Sequence, residues 1–115
     1  MNDKTILQQL DDVLEARKSE AADKSYVASL YAKGTEKILK KIQEESLEVA
    51  MAAKDYDHSN LEKDKEHLIY EVTDLWFHSL VLLAHKDISS DAITEEFQRR
   101  FGLSGHDEKA SRSDS

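Results

Sequence analysis

Apolar residues recur along this chain at helical rather than strand spacing. Ile6, Leu10, Val13 and Leu14 share one side of a helix, which predicts a first amphipathic helix fading near Glu20 to Asp23. After a polar break, Ser25 is placed to cap a short helix carrying Tyr26, Val27, Leu30 and Tyr31, and Gly34 suits the left-handed turn that ends it. Thr35 is the expected cap of a long helix running to about Lys54. The polar segment 55–60 then turns the chain back, and Leu61 to His85 forms an antiparallel partner. A last helix starts at Ser89 or Ser90 and docks through Phe97 and Phe101.

The pattern is that of an all-α fold: a bundle of two long antiparallel helices plus shorter ones. Composition agrees, since 39% hydrophobic and 35% charged residues with no Pro and three Gly suit long helices and starve a β fold of turns. At 115 residues the chain fits one domain with a modest core, a shortage that dimerisation relieves. The domain is expected over residues 1–102. Beyond Gly102 almost nothing is apolar, so burial cannot offset the ordering entropy, and 103–115 is expected to be a disordered tail.

A net charge of −8 argues against a nucleic-acid groove. It does not exclude a nucleotide, because a divalent metal can bridge carboxylates to a polyphosphate. The absence of Cys removes disulfides, thiolate nucleophiles and sulfur-ligated metals. Asp3, Gln8 and Gln9 stand where a secretion signal needs an apolar run, and no stretch reaches membrane-spanning length, so a cytoplasmic protein without a membrane partner is expected.

The carboxylates of the two long helices change the picture most. At about 100° per residue, Ile38, Ile42, Val49 and Ala53 make an apolar stripe roughly 60° wide. Glu45 projects beside Ile38, Glu48 follows one turn on, and Glu44 lies well round the helix. On the second helix Leu68, Val72, Leu75, Ser79, Leu82 and Leu83 form the expected buried stripe, with Glu71 at its edge and Asp74 one turn on. Tyr70, Phe77 and Val81 occupy much of the other side, so Glu71 and Asp74 are expected to be enclosed between helices or between subunits. Four such acids repel one another unless a cation neutralises them, and an all-oxygen set suits Mg²⁺, or Mn²⁺ in its place. A di-iron carboxylate bundle would need Glu-x-x-His pairs, which do not occur. Acids at helical spacing are most often solvated surface, and a non-enzymatic helical dimerisation module is the competing reading; Glu45 inside an apolar stripe counts against it.

Glu44-Glu45-Ser46-Leu47-Glu48 followed by Glu71-Val72-Thr73-Asp74 is similar to the all-α nucleotide pyrophosphohydrolase superfamily, the MazG-like proteins. The stretch from Ser25-Tyr26-Val27 through Lys33-Gly34-Thr35 to Ile42, with His67 to Leu83, resembles the phosphoribosyl-ATP pyrophosphatase family of histidine biosynthesis over roughly residues 5 to 100. Gln43, where a small residue is expected, and Trp76 depart from that pattern. The resemblance implies Mg²⁺-dependent hydrolysis of the α–β phosphoanhydride of 1-(5-phosphoribosyl)-ATP. Glu45, Glu48, Glu71 and Asp74 would bind metal, and Glu44 would orient or deprotonate the attacking water. A housekeeping pyrophosphohydrolase acting on other nucleotides is the nearest alternative.

A substrate this charged calls for cations near the acids. Lys41, between Glu45 and Glu48 on the wheel, qualifies best; Lys37 is intermediate, Lys40 points away, and Lys33 resembles the family's substrate-side lysine. His78, on the side of Glu71, is read as a core residue or a support for the ligands in preference to a phosphate contact, and Tyr26, Tyr31 and Tyr70 as packing. A homodimer whose helices together close the bundle is expected from burial and from the resemblance. The family also occurs fused to the cyclohydrolase of the next step, and this chain looks like the stand-alone form.

Overall fold

The computed structural model describes residues 3–102, so the expectation about the tail falls outside the described residues. Five α-helices run in order: α1 (Ile6–Ala16), α2 (Tyr26–Lys33), α3 (Thr35–Ser59), α4 (Glu62–His85) and α5 (Asp91–Arg100), with one 3-10 turn at Arg17–Ser19 after α1. No strand occurs among the described residues, as the hydrophobic spacing predicts. None of the helices is long and apolar enough to cross a membrane.

Local chemistry sets most of the boundaries. The Thr5 hydroxyl accepts from the Gln8 amide while the Gln8 side chain accepts from the Thr5 amide, a reciprocal cap on α1. Ser25 caps α2 by accepting from the Ala28 amide at 3.2 Å. Gly34 ends α2 and also begins α3, with φ +91° and ψ −177°. This is an extended positive-φ conformation nearly confined to glycine, not the left-handed helical turn expected from sequence. Thr35 is consequently the first residue of α3 and not its cap. The helix also continues past Lys54 to Ser59, because Asp55 to Ser59 stay helical with mostly exposed side chains. Asn60 closes it in the left-handed region, and its amide donates to the Tyr56 carbonyl at 2.8 Å.

The tight turn at Asn60–Leu61 folds α4 back along α3 in antiparallel fashion. Leu14, Val27, Leu30, Ile38, Val81 and Ala84 form the buried core, with Ile38 and Val81 fully enclosed. Tyr31 ties α2 to α1 by donating from its hydroxyl to the Leu14 carbonyl at 2.9 Å. The buried face of α3 is centred on Ile38, Glu45 and Ala52, seven residues apart, and that of α4 on Glu71, His78, Val81 and Ala84. The two helices thus meet along a seam of the coiled-coil kind, and three of its inward positions are polar.

This corrects the wheel drawn for α4. Leu68, Val72, Ser79 and Leu83 are only half-buried and lie on the outer side, whereas Val81, assigned to the opposite face, is at the centre. The helix is apolar on two sides, and hydrophobicity alone favoured the side turned away from α3, which α1 and α5 cover only in part. The docking of α5 differs as well. Phe97 and Phe101 are exposed, and the helix is held through its first turn. The Asp11 carboxylate accepts from the Ser90 amide at 3.0 Å and from its hydroxyl at 2.7 Å, while Gln8 donates to Asp91 at 3.0 Å.

Candidate metal and substrate site

Halfway along the α3–α4 seam, carboxylate oxygens of Glu45, Glu71 and Asp74 lie within 4.8 Å of one another. Glu45 comes from the inward row of α3, and the other two from successive turns of α4. Glu45 and Glu71 are 5% and 6% exposed, enclosed by helices of a single chain, so no second subunit is needed to bury them. Each also has one carboxylate oxygen, Oε2, that is buried without a hydrogen-bond partner. A buried carboxylate oxygen left unpaired costs far more than a paired one, and two in contact with a third acid form an arrangement that a hard cation would satisfy. The donor set is oxygen throughout, which fits Mg²⁺ or Mn²⁺.

The electrostatics show the same tension. Burial pushes the Glu71 carboxyl up to about 7, helped by hydrogen bonding to and charge on neighbouring Glu48 and then by Glu45. Glu45 is raised by burial, followed by the charges of Glu48 and Asp74. Glu48 is itself exposed, at the open edge of the cluster.

Around the acids stand groups of opposite or neutral character. Lys41 donates to Glu44 at 3.2 Å and lies 4.0 Å from Glu45; its ammonium is held above the usual lysine range chiefly by the Glu44 contact. Glu44 is exposed and faces Lys41. Lys33 is exposed at the end of α2 and Lys37 half-buried on α3; neither forms an ion pair among the described residues. The structure therefore brings Glu45, Glu71 and Asp74 together, sets Glu48 and Lys41 beside them, and leaves Lys33 and Lys37 at a distance from the acids' immediate contacts.

Sequence reasoning missed two neighbours. His67 Nε2 stands 3.7 Å from Glu71 Oε1, one turn earlier on the same helix, a spacing that was open to view. Tyr26 was read as packing, yet its hydroxyl is 2.8 Å from Nε2 of buried His78. His78 Nδ1 is 2.9 Å from the Asp74 carbonyl and 3.9 Å from Glu45 Oε1. A carbonyl can only accept, so Nδ1 carries the proton, and in the neutral ring Nε2 accepts from Tyr26. The imidazole thereby joins the first turn of α2 to the acids of the seam. Burial raises the Tyr26 hydroxyl above its ordinary range, and the charges that act on it include Lys41, Glu45, Asp74 and Glu44.

Comparison with known proteins finds relatives that match nearly the whole chain. Residues 7–101 match the family described as phosphoribosyl-ATP pyrophosphohydrolase. The chain is 58% identical over 108 residues to the phosphoribosyl-ATP pyrophosphatase of Hydrogenovibrio crunogenus, covering 94% of this chain and 93% of the relative. It is similar to the proteins of that name from Vesicomyosocius okutanii, at 60% over 107 residues with 93% and 95% covered, and from Ruthia magnifica, at 58% over 112 residues with 97% and 98% covered.

Proposed function

The chain belongs to the phosphoribosyl-ATP pyrophosphohydrolase family, and from that premise we propose how it works. It is a hydrolase of histidine biosynthesis that splits the α–β phosphoanhydride of 1-(5-phosphoribosyl)-ATP into phosphoribosyl-AMP and pyrophosphate. The observation that carries the site assignment is the pair of orphaned oxygens on Glu45 and Glu71 beside Asp74. Glu45, Glu48, Glu71 and Asp74 would hold Mg²⁺, or Mn²⁺ in its place. When bound, the metal supplies polarisation of phosphate oxygens, charge neutralisation of the leaving pyrophosphate and acidification of water.

The chain's own residues supply the remainder. Glu44, exposed at the rim, is the candidate for orienting or deprotonating the attacking water, and Lys41 directs its carboxylate through their hydrogen bond. Lys41, with Lys37 and Lys33 further out, offers ammonium groups to the polyphosphate. His78 has both nitrogens engaged, which fits a positioning residue that locks the Asp74 turn. The apolar outer face of α4 fits a homodimer: Leu7, Ile69, Val72, Trp76, Leu80 and Phe97 line two adjoining grooves of about 670 and 580 Å³, an unusual exposure for a monomer. A cytoplasmic location suits such a biosynthetic enzyme.

Pyrophosphate release from phosphoribosyl-ATP, compared with ATP, dCTP and dUTP across an Mg²⁺ titration, tests this reading. Phosphoribosyl-ATP should be preferred, with no turnover in the presence of a chelator. Equal turnover of the deoxynucleotides would replace it with a housekeeping activity.

A further inference from the structure

A cleft of about 440 Å³ opens between α1, the 3-10 turn, the start of α2 and α4, away from the acids themselves. Its volume is in the range of small-molecule sites, about 300–1,000 Å³. Tyr26 and Phe77 contribute rings to its wall and Val13 and Val27 apolar surface, while Arg17 and Lys24 supply cations. Both rings pack edge-on against His78, with centroids 5.8 Å away for Tyr26 and 5.5 Å for Phe77. His78 in turn touches Asp74 and approaches Glu45. One imidazole therefore backs the cleft on one side and the metal-binding acids on the other.

We infer that this cleft is the subsite for the phosphoribosylated nucleoside half of the substrate, the part that stays together when pyrophosphate leaves. The inference rests on the function proposed above and adds the residues that recognise the phosphoribosyl group. A ligand with an aromatic base and a terminal phosphate matches what the cleft offers. The Tyr26 ring is half exposed and gives the base a flat apolar surface, its hydroxyl being committed to His78. Arg17 and Lys24 receive the terminal phosphate. In a chain of net charge −8, this cleft sets two cations against one acid, Glu20. Arg17 contacts Glu20 at 2.6 Å with both side chains exposed, and such surface pairs contribute little. Exchanging it for a bidentate contact with a dianionic phosphate is favourable. Lys24 is exposed and pairs with no acid among the described residues.

The test compares the full-length chain with the double variant Arg17→Ala/Lys24→Ala. Binding of phosphoribosyl-AMP and of AMP is followed by calorimetry, and turnover of phosphoribosyl-ATP and ATP by pyrophosphate release. Charge-assisted contacts to a remote phosphate act equally in ground and transition states. KM for phosphoribosyl-ATP should therefore rise about tenfold or more with kcat nearly constant. Phosphoribosyl-AMP binding should weaken in parallel, and AMP binding and Mn²⁺ affinity should not change. Equal losses for AMP and phosphoribosyl-AMP, or unchanged KM in a folded variant, would overturn the subsite. Should the wild type fail to cleave phosphoribosyl-ATP yet bind phosphoribosyl-AMP through Arg17 and Lys24, the subsite stands and the proposed activity falls.

Discussion

Helix α4 has two faces that reverse the usual arrangement of a soluble helix. The side turned to α3 encloses Glu71 and His78, and the side turned outward carries Ile69 and Trp76, both more than half exposed. Charge lies inside and hydrocarbon outside. Neither face is explained by the stability of a lone chain: the inner one bears the cost of desolvating acids, and the outer one leaves apolar area in water. Under the function proposed above, a cation would cover the inner face and a second subunit the outer one. The burial of Glu45 and Glu71 within one chain keeps the two questions separate. The proposed dimer rests on the outer hydrophobic face, not on the acids.

The contrast is broken most sharply from the inside. Glu45→Gln or Glu71→Gln removes a buried charge while keeping shape. Pyrophosphate release should fall on the order of 10³-fold or more. The thermal midpoint of metal-free protein near neutral pH should rise, because an amide is cheaper to bury than a carboxylate. A variant that loses both activity and stability would make these acids structural.

On the outer face, Trp76→Asp places a charge in the middle of the apolar grooves. If that face joins two copies, the dissociation constant measured by analytical ultracentrifugation should rise about 100-fold or more, with helix content retained. An unchanged sedimentation profile would remove α4 from the interface.

The smallest effect is a pH dependence that distinguishes empty from loaded protein. Glu71 is pushed up to about 7 in the folded chain, above its ordinary value of 4.5, so the folded state keeps a proton that the unfolded chain has released. Stability is greatest below the ordinary value and declines as pH rises through about 7. Without metal the midpoint should drop by roughly 5–10 °C between pH 5 and pH 8. Saturating Mg²⁺ should flatten that slope, since the bound cation takes the place of the proton. A metal-free midpoint that rises with pH would contradict the burial assigned to Glu71.

Much of this was readable in the chain. Ser25 capping α2, Gly34 ending it, and the turn before Leu61 follow from local chemistry, which sequence records directly. The clustering of Glu45, Glu71 and Asp74 was legible because helical spacing converts sequence distance into angle. Orientation was the harder quantity. A wheel cannot decide which of two apolar faces of α4 meets α3, and the charged face proved to be the inner one. Contacts between polar side chains far apart in sequence leave no periodic signal, which is why Asp11 on Ser90 and Tyr26 on His78 escaped notice. The extra turns from Asp55 to Ser59 were missed because a solvated helical end and a polar turn have the same composition.

Gly34 carries a consequence for how the protein can be altered. It is at once the last punctuation of the helix that bears Tyr26 and the first of the helix that bears Glu45, with no linker to absorb error between them. A single pair of torsion angles articulates the aromatic wall with the acids, in a conformation that a side chain resists. Inserting even one residue at this joint would redirect α2 as it meets α3 and carry Tyr26 away from His78, so the helices flanking it can be redesigned far more freely than the hinge they share.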